Sequence, residues 1–406
     1  MNRRAFLGTF PFVASASVRG ANDRINIGFV GVGRRASWLI QHEDFGDGRI
    51  VSIADCSKAA LDKASHILAD GANWTQYTDY REMFEKQKLD AVFVETTTHA
   101  RARIVMQAME AGLDVYAEKP LTLTVQEGQA LVKSARHYKR VLQVGTQQRS
   151  MPINMYASKL VADGKLGKIK KVIVCNFLAP ARWDNKAEEP MPEGLNWDEW
   201  CNQTELRPYH SDLHKGWMKW WDFDGGGQSW GVSGWGTHSL DQVQAALGTS
   251  LTGPTEIALG EEGKVALTYA NGAVVSLEQP IIKDHQQLGG IFEGTKGRMQ
   301  IIRGDFTCDD KPDFKKHAPD VMKEGPGENS PHIRNFLQCV RSRKKPNADV
   351  EIAHRSTSVC HLVNIARELG RTLQWDPKSE RFPNDAAANA LLERPRRKGY
   401  ELPRVG

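Results

Sequence analysis

The tripeptide Glu118-Lys119-Pro120 closes an apolar run, LDVYA at 113–117. Proline at 120 biases Lys119 away from helical geometry and removes a backbone donor, so the lysine is expected in a defined turn. A lysine held beside a positively charged ring has its pKa lowered and can hydrogen-bond a hydroxyl that is losing its proton. A second candidate lies in SGWGTHSLD, 233–241, where Asp241 follows His238 by three residues. Read as a helix over 237–247, this segment carries an apolar stripe of Leu240, Val243 and Leu247. At about 100° per residue, His238 points almost opposite that stripe and Asp241 shares its side. That suits a proton-transfer histidine with a supporting acid better than a packed core histidine.

These groups need elements to hold them. RINIGFVGVGRRASWLI, 24–40, reads as a strand, a glycine turn and a helix. In the turn, Gly31-Val32-Gly33-Arg34-Arg35-Ala36, the first glycine makes a tight bend and the second lets the backbone approach a pyrophosphate. Ala36 keeps the helix close to the sheet. The next strand, RIVSIAD, ends in Asp55, about 20 residues beyond the glycines. There it can accept from the adenosine ribose hydroxyls, and it would repel a 2′-phosphate, which favours NAD over NADP. A helix N-cap is the competing role for Asp55. Strands at 89–96, 113–117 and 141–147 alternate with helices at 100–112 and about 123–137. That βαβ rhythm predicts a parallel doubly wound sheet with ligands at the strand ends. Three groups fall there: Thr96-Thr97-Thr98-His99, Glu118-Lys119-Pro120 and Gln147-Gln148-Arg149.

From about 168 the pattern changes. Strands at 255–259, 264–270, 273–279, 289–293 and 297–303, joined by short turns, predict an α+β domain with a large, mostly antiparallel sheet. Helices at about 330–342 and 355–370 complete it. Between 183 and 235 lie eight of the eleven tryptophans, which directs the search for a substrate cleft to this stretch. Rigid aromatic rings stack on sugar C–H faces, and the competing reading is a loop anchored by large aromatics. Trp183, Tyr209, His210, Trp221, Arg149 and His238 are the candidate substrate contacts. His210 and His214 in HSDLH have helical i,i+4 spacing, but no third ligand is evident and Pro208 precedes them, so no metal site is expected.

Together the glycine turn, Asp55 and AGLDVYAEKPLTLTVQEG resemble the Gfo/Idh/MocA family of NAD(P)-dependent oxidoreductases. VGTQQRS, GTKGRMQIIRG and HRSTSVCHLVNIARELGRTLQWDP extend the resemblance over almost the whole chain. It implies a Rossmann domain at 22–148, a substrate and oligomerisation domain at 149–375 and an arm at 376–406. It also implies that Lys119 contacts the reacting hydroxyl, that His238 is a general acid–base and that Asp241 supports it. The cofactor set so implied is Gly31, Val32, Gly33, Arg34, Arg35, Asp55, Thr97, His99, Glu118, Lys119 and Gln147. A homo-oligomer through the open face of the second sheet follows by the same resemblance, and no metal is needed. Two departures stand out. TTTHAR replaces the usual Thr-Pro-Asn or Thr-Pro-Asp segment, and Gly234 stands where an acid usually precedes the histidine. Asp222 and Asp224 are the candidates to replace that acid.

The remaining bounds are compositional. Net charge is +5 over 406 residues, and the basic cluster RPRRK at 394–398 is expected to solvate a tail, so nucleic acid is not an expected partner. MNRRAFLG, an apolar stretch and Ala14-Ser15-Ala16 read as a twin-arginine export signal over 1–21. The competing reading is a frayed segment on a cytoplasmic protein. No run of about 20 apolar residues could span a bilayer. Six scattered cysteines predict no disulfide framework. The expected function is oxidation of a sugar, glycoside or cyclitol hydroxyl with hydride passing to NAD. The alternatives are a redox-neutral lyase, hydrolase or epimerase with tightly bound NAD, and a non-catalytic carbohydrate-binding relative.

Overall fold

A computed structural model describes residues 24–68, 71–224, 230–282, 287–318 and 329–405; the expected signal at 1–21 lies outside them. Six parallel strands form the first sheet: β1 (Ile25–Val30), β2 (Gly48–Ala54), β3 (Thr75–Tyr77), β4 (Ala91–Val94), β5 (Asp114–Ala117) and β6 (Leu142–Val144). Their order, β3-β2-β1-β4-β5-β6, is that of a dinucleotide-binding sheet with its switch point between β1 and β4. Every residue of β4 and β5 is buried, as helices on both faces of a parallel sheet require. Phe29, Phe93 and Tyr116 stack across β1, β4 and β5, with ring centroids 4.9 and 4.7 Å apart.

The second sheet has eight strands: β7 (Ile169–Cys175), β8 (Pro254–Leu259), β9 (Val265–Tyr269), β10 (Val274–Gln279), β11 (Gly290–Gly294), β12 (Gly297–Ile302), β13 (Asp305–Thr307) and β14 (Leu373–Gln374). All its pairings are antiparallel except β7 with β10. Helices Trp235–Ala246 and Val350–Leu369 pack beside it, and their buried side chains join one core with the sheet.

The division along the chain is not a division in space. Helix Ser330–Ser342 places Ile333, Phe336 and Leu337 in the core of the nucleotide domain. It is pinned there by Arg334 on Asp44 (3.0 Å) and Arg341 on Asp47 (2.6 Å). The 394–398 cluster is not a solvated tail. Arg394 stacks on Trp221 at 4.3 Å, Arg396 pairs with Glu127, and Arg397 pairs with Asp198 at 2.6 Å. These partners, of which Trp221 and Glu127 are buried, turn basic residues expected in water into struts that tie the arm to the body. All six cysteines are free. Among the described residues, no helix is long and apolar enough to cross a membrane.

Candidate active site

Gly31 and Gly33 bend the chain from β1 into helix Arg34–His42. Gly31 has φ +80°, and a Cβ there would sit 2.9 Å from the backbone of Thr96, so only glycine fits the bend. A Cβ on Gly33 would meet nothing within 4 Å. It would project into a cavity of about 680 Å³ that Gly31, Gly33, Arg34, Arg35, Asp55 and Thr97 all line. The helix has no side-chain cap, so its first N–H groups are left to an anion in that cavity. Asp55 accepts from Val32 N–H at 2.8 Å and from Ser57 N–H at 2.9 Å. Burial raises its pKa and these two bonds oppose the rise. Ser57, rather than Asp55, caps the following helix, which leaves Asp55 to the cavity. Its remaining lone pairs suit a ribose diol, and the turn suits a diphosphate.

The far wall comes from the second domain. Glu199, Trp200, Asn202, His214, Lys215, Trp217 and Met218 close the cavity opposite the glycine turn. This segment is bonded directly to the nucleotide domain: Asn196 N–H donates to Cys56 O (2.8 Å), Lys58 N–H to Gly194 O (3.0 Å), and Arg81 pairs with Glu199 (2.6 Å). His99 belongs to the same seam and not to the cavity wall. Its Nε2 lies 2.7 Å from Trp200 O, so that nitrogen donates, and its ring packs edge-on against Phe223. Burial holds it neutral, with its pKa pushed down to about 4.

Beyond the cavity lies a compact group of ionisable side chains. Arg35 Nε donates to Glu118 Oε1 at 2.6 Å, and Gln147 Nε2 reaches Tyr116 Oη (3.2 Å) and Glu118 Oε1 (3.4 Å). Burial works to raise the Glu118 pKa, but Arg35 and Lys119 together hold it below its ordinary value. The Lys119–Pro120 bond is cis. Lys119 Nζ donates to Gly234 O (3.3 Å) and lies 5.6 Å from the Trp235 ring centroid. Burial lowers its pKa, against the pull of Glu118 and Asp224. The Trp235 ring in turn lies 5.8 Å from that of His238. His238 is 3% exposed, its Nδ1 has no partner, and burial followed by the Lys119 charge pushes its pKa well below the ordinary value. Lys119 and His238 are thus a lysine whose pKa is lowered and a neutral imidazole, each near the ring of Trp235.

Other expected contacts lie elsewhere. Asp241 does not reach His238; it is held by Arg149 Nε (2.7 Å) and Ser356 Oγ (2.6 Å). That bond also occupies Arg149, which lines a different, smaller cavity beside helix Pro152–Ala162. Helix Trp235–Ala246 is buried almost all round, so being opposite the apolar stripe put His238 and Asp241 in separate buried environments. The tryptophan cluster is mostly packing. Trp183 meets Trp220 edge-on, Trp197 stacks on Trp200, and Trp221 lies between Arg182 and Arg394. Tyr209 is buried in the same cluster, its hydroxyl 3.3 Å from His214 Nδ1. His210 caps the turn that follows it and pairs with Glu189. Trp200 and Trp217 line the cavity, and Trp235 lies near Lys119 and His238.

Asp224 and Glu95 carry more than the sequence suggested. Asp224 accepts from Thr98 Oγ1 at 2.7 Å, its other oxygen is buried without a partner, and burial raises its pKa. Asp222 is taken by Arg207 (2.8 Å). Glu95 ends an apolar strand, and an acid at a strand end is the signal in the sequence that points to it.

Residues 25–146 match the model described as "Oxidoreductase family, NAD-binding Rossmann fold", and residues 153–402 match "Oxidoreductase family, C-terminal alpha/beta domain". The chain belongs to the Gfo/Idh/MocA oxidoreductase family. Within the family it is 28% identical over 120 residues to scyllo-inositol 2-dehydrogenase (NAD(+)) of Bacillus subtilis, covering 30% of this chain and 34% of that one. It is 30% identical over 120 residues to a glycosyl hydrolase family 109 protein of Shewanella pealeana, covering 28% and 26%. Matches to such curated relatives span between 25% and 65% of their lengths. The fold is shared with the WlbA dehydrogenase of Bordetella pertussis, solved with NADH and UDP-GlcNAcA (TM-score 0.63, 18% identity, 87% of this chain and 99% of that one).

Proposed function

We propose that this protein is an NAD-dependent oxidoreductase acting on a hydroxyl of a sugar, glycoside or cyclitol. The observation that carries the reading is the placement of Lys119 at the turn that ends β5, with its Nζ and the ring of His238 each near Trp235 and with the pKa of both lowered by burial. When bound, NAD supplies the hydride acceptor. The glycine turn and the N-terminus of helix Arg34–His42 hold its diphosphate, and Asp55 holds the adenosine ribose. In its neutral form Lys119 Nζ accepts from the substrate O–H and takes up its one proton, and His238 Nδ1, free of any partner, can accept that same proton in turn. Selectivity for NAD is assigned to Asp55 on the cavity wall, which disfavours a 2′-phosphate. A relative named for inositol oxidation supports the cyclitol or sugar class.

One observation favours a second reading, a redox-neutral cycle on retained NAD. The second-domain wall would have to part from Cys56, Lys58 and Arg81 before the nucleotide could leave. A relative named as a glycosyl hydrolase fits such a cycle. Export through the 1–21 segment, where free NAD is scarce, fits it too, and assembly through the second sheet's open face is part of the same proposal. Incubating purified protein with a panel of glycosides and cyclitols separates the readings. Net NADH supports oxidation, and product without net NADH supports the redox-neutral cycle. Neither product nor bound nucleotide contradicts both.

A further inference from the structure

The second-domain wall of the cavity has little structure of its own. Glu199, Trp200 and Asn202 reach the cavity from the five-residue helix Trp197–Cys201 and the residue that follows it. So short a helix does not hold itself in place. Among the described residues, no helix or strand between Cys175 and Trp197 braces it. Its bonds to the nucleotide domain, from Gly194, Asn196 and Glu199, fasten its first part only.

The rest is fastened by the arm. Arg397 spends all three of its guanidinium nitrogens on this one helix end. Nε donates to Asn202 O (2.9 Å), Nη1 to Asp198 Oδ1 (2.6 Å) and Nη2 to Asp198 O (2.9 Å). The Arg397 N–H donates to Gln203 O (3.1 Å), and Tyr400 Oη donates to Asp198 Oδ2. The end of a helix leaves carbonyls without donors and favours a cation, and a forked guanidinium meets both needs. The arm is itself moored to the nucleotide domain. Arg103 of helix Thr98–Glu110 donates to Gly399 O (3.2 Å) and lies 5.1 Å from the Tyr400 ring centroid. Lys133 of helix Val125–His137 donates to Val405 O (3.0 Å), and Leu402 and Val405 pack on that domain's core. Helix Thr98–Glu110 also lines the cavity, through Ala100 and Ile104. The arm therefore joins one side of the cavity to the other.

We propose that residues 397–405 are a strap that holds the wall closed over the bound dinucleotide, with Arg397 as its positioning residue, and that the strap sets how fast the cofactor enters and leaves. The proposal rests on the reading of this cavity as the NAD site. Arg397 acts on the cofactor only through the wall, which gives the proposal a kinetic signature. If the nucleotide passes only when the wall opens, loosening the strap raises entry and exit alike. Affinity then changes little. A residue that merely stabilised the bound contacts would change affinity instead.

The test is stopped-flow NADH fluorescence, with association to nucleotide-free protein and release from loaded protein displaced by excess NAD. Arg397→Ala is expected to raise both rates about tenfold, from the loss of hydrogen bonds to a charged group. Its Kd is expected to stay within about twofold of wild type. Arg397→Lys, which keeps the charge without the fork, is expected to fall between the two. Tyr400→Phe removes a single hydroxyl and is expected to raise both rates about threefold, so it decides even if Arg397→Ala folds poorly. Arg371→Ala, which frees Asp385 of the arm away from the wall, is expected to match wild type. Unchanged rates in Arg397→Ala and Tyr400→Phe overturn the proposal and leave the site reading intact. Faster release without faster association overturns it too, because it makes Arg397 a support of the bound state and not of the gate. Equal acceleration in Arg371→Ala overturns it by assigning the effect to general loosening. Wild type that does not bind NADH removes the site reading, and the proposal with it.

Discussion

Lys119 and His238, proposed above to face a substrate hydroxyl, both have their pKa lowered chiefly by burial. The usual acid is absent at Gly234, and the Gly234 carbonyl instead accepts from Lys119 Nζ. Replacing Lys119 with alanine is expected to lower turnover by about a hundredfold to ten-thousandfold while NADH affinity changes little. Equal losses in both would make Lys119 a binding residue. Replacing Asp55 with alanine is expected to weaken NAD about tenfold and to narrow the gap to NADP, read by competition titration. Both residues were legible in the sequence because a strand-end position adjoins a turn with strict steric needs. Asp241 departs from the expected support of His238 for a physical reason. Angular position on a helix says which residues share a side, not what that side meets, and here it meets Arg149.

At the scale of elements, the strand–turn–helix over 25–42 and the alternation through β6 could be read from apolar runs and glycines. The segment between 179 and 224 could not. Its aromatics have no periodicity, and tryptophans that pack together look the same in sequence as tryptophans that line a sugar cleft. What they build is a wall bonded to Cys56, Lys58, Arg81 and His99. Trp200 gives that wall its indole as well as the carbonyl that His99 engages. Trp200→Ala is expected to speed NADH release by about tenfold, a loss of about 1.4 kcal/mol, measured by stopped-flow displacement. An unchanged release rate would mean the wall does not gate the cofactor.

For the whole molecule, buried neutral histidines dominate the pH dependence of stability. Burial pushes His99 and His332 down to about 4 and His361 to about 3, and His238 lies well below its ordinary value. Below about pH 6.5 each is protonated in the unfolded chain but not in the native one. Stability is therefore lost as pH falls from about 6.5 toward about 4, by up to about 1.4 kcal/mol per pH unit for each histidine. Glu95 acts in the opposite sense. Raised to about 8, it keeps a proton that the unfolded chain has released, so it subtracts stability as pH rises from about 4.3 to 8. Asp55 and Asp224, also raised, act with it. The histidines outnumber these acids below about pH 6.5 and are silent above it. Urea midpoints of the cofactor-free protein are expected to peak near pH 6.5–7 and to fall on either side. A flat profile would mean that the buried groups titrate normally.

The central claim is that Lys119 serves hydride transfer from a sugar or cyclitol hydroxyl to NAD held in this cavity. Its most direct test is a single-turnover mixing experiment with NAD-loaded protein and a polyol panel, following the near-ultraviolet absorbance of reduced nicotinamide. Wild type is expected to show a rapid rise with at least one polyol, whether or not that absorbance later decays, and NAD-loaded Lys119→Ala is expected to show none. A rise of equal rate in Lys119→Ala, or none in wild type that holds NAD, would contradict it.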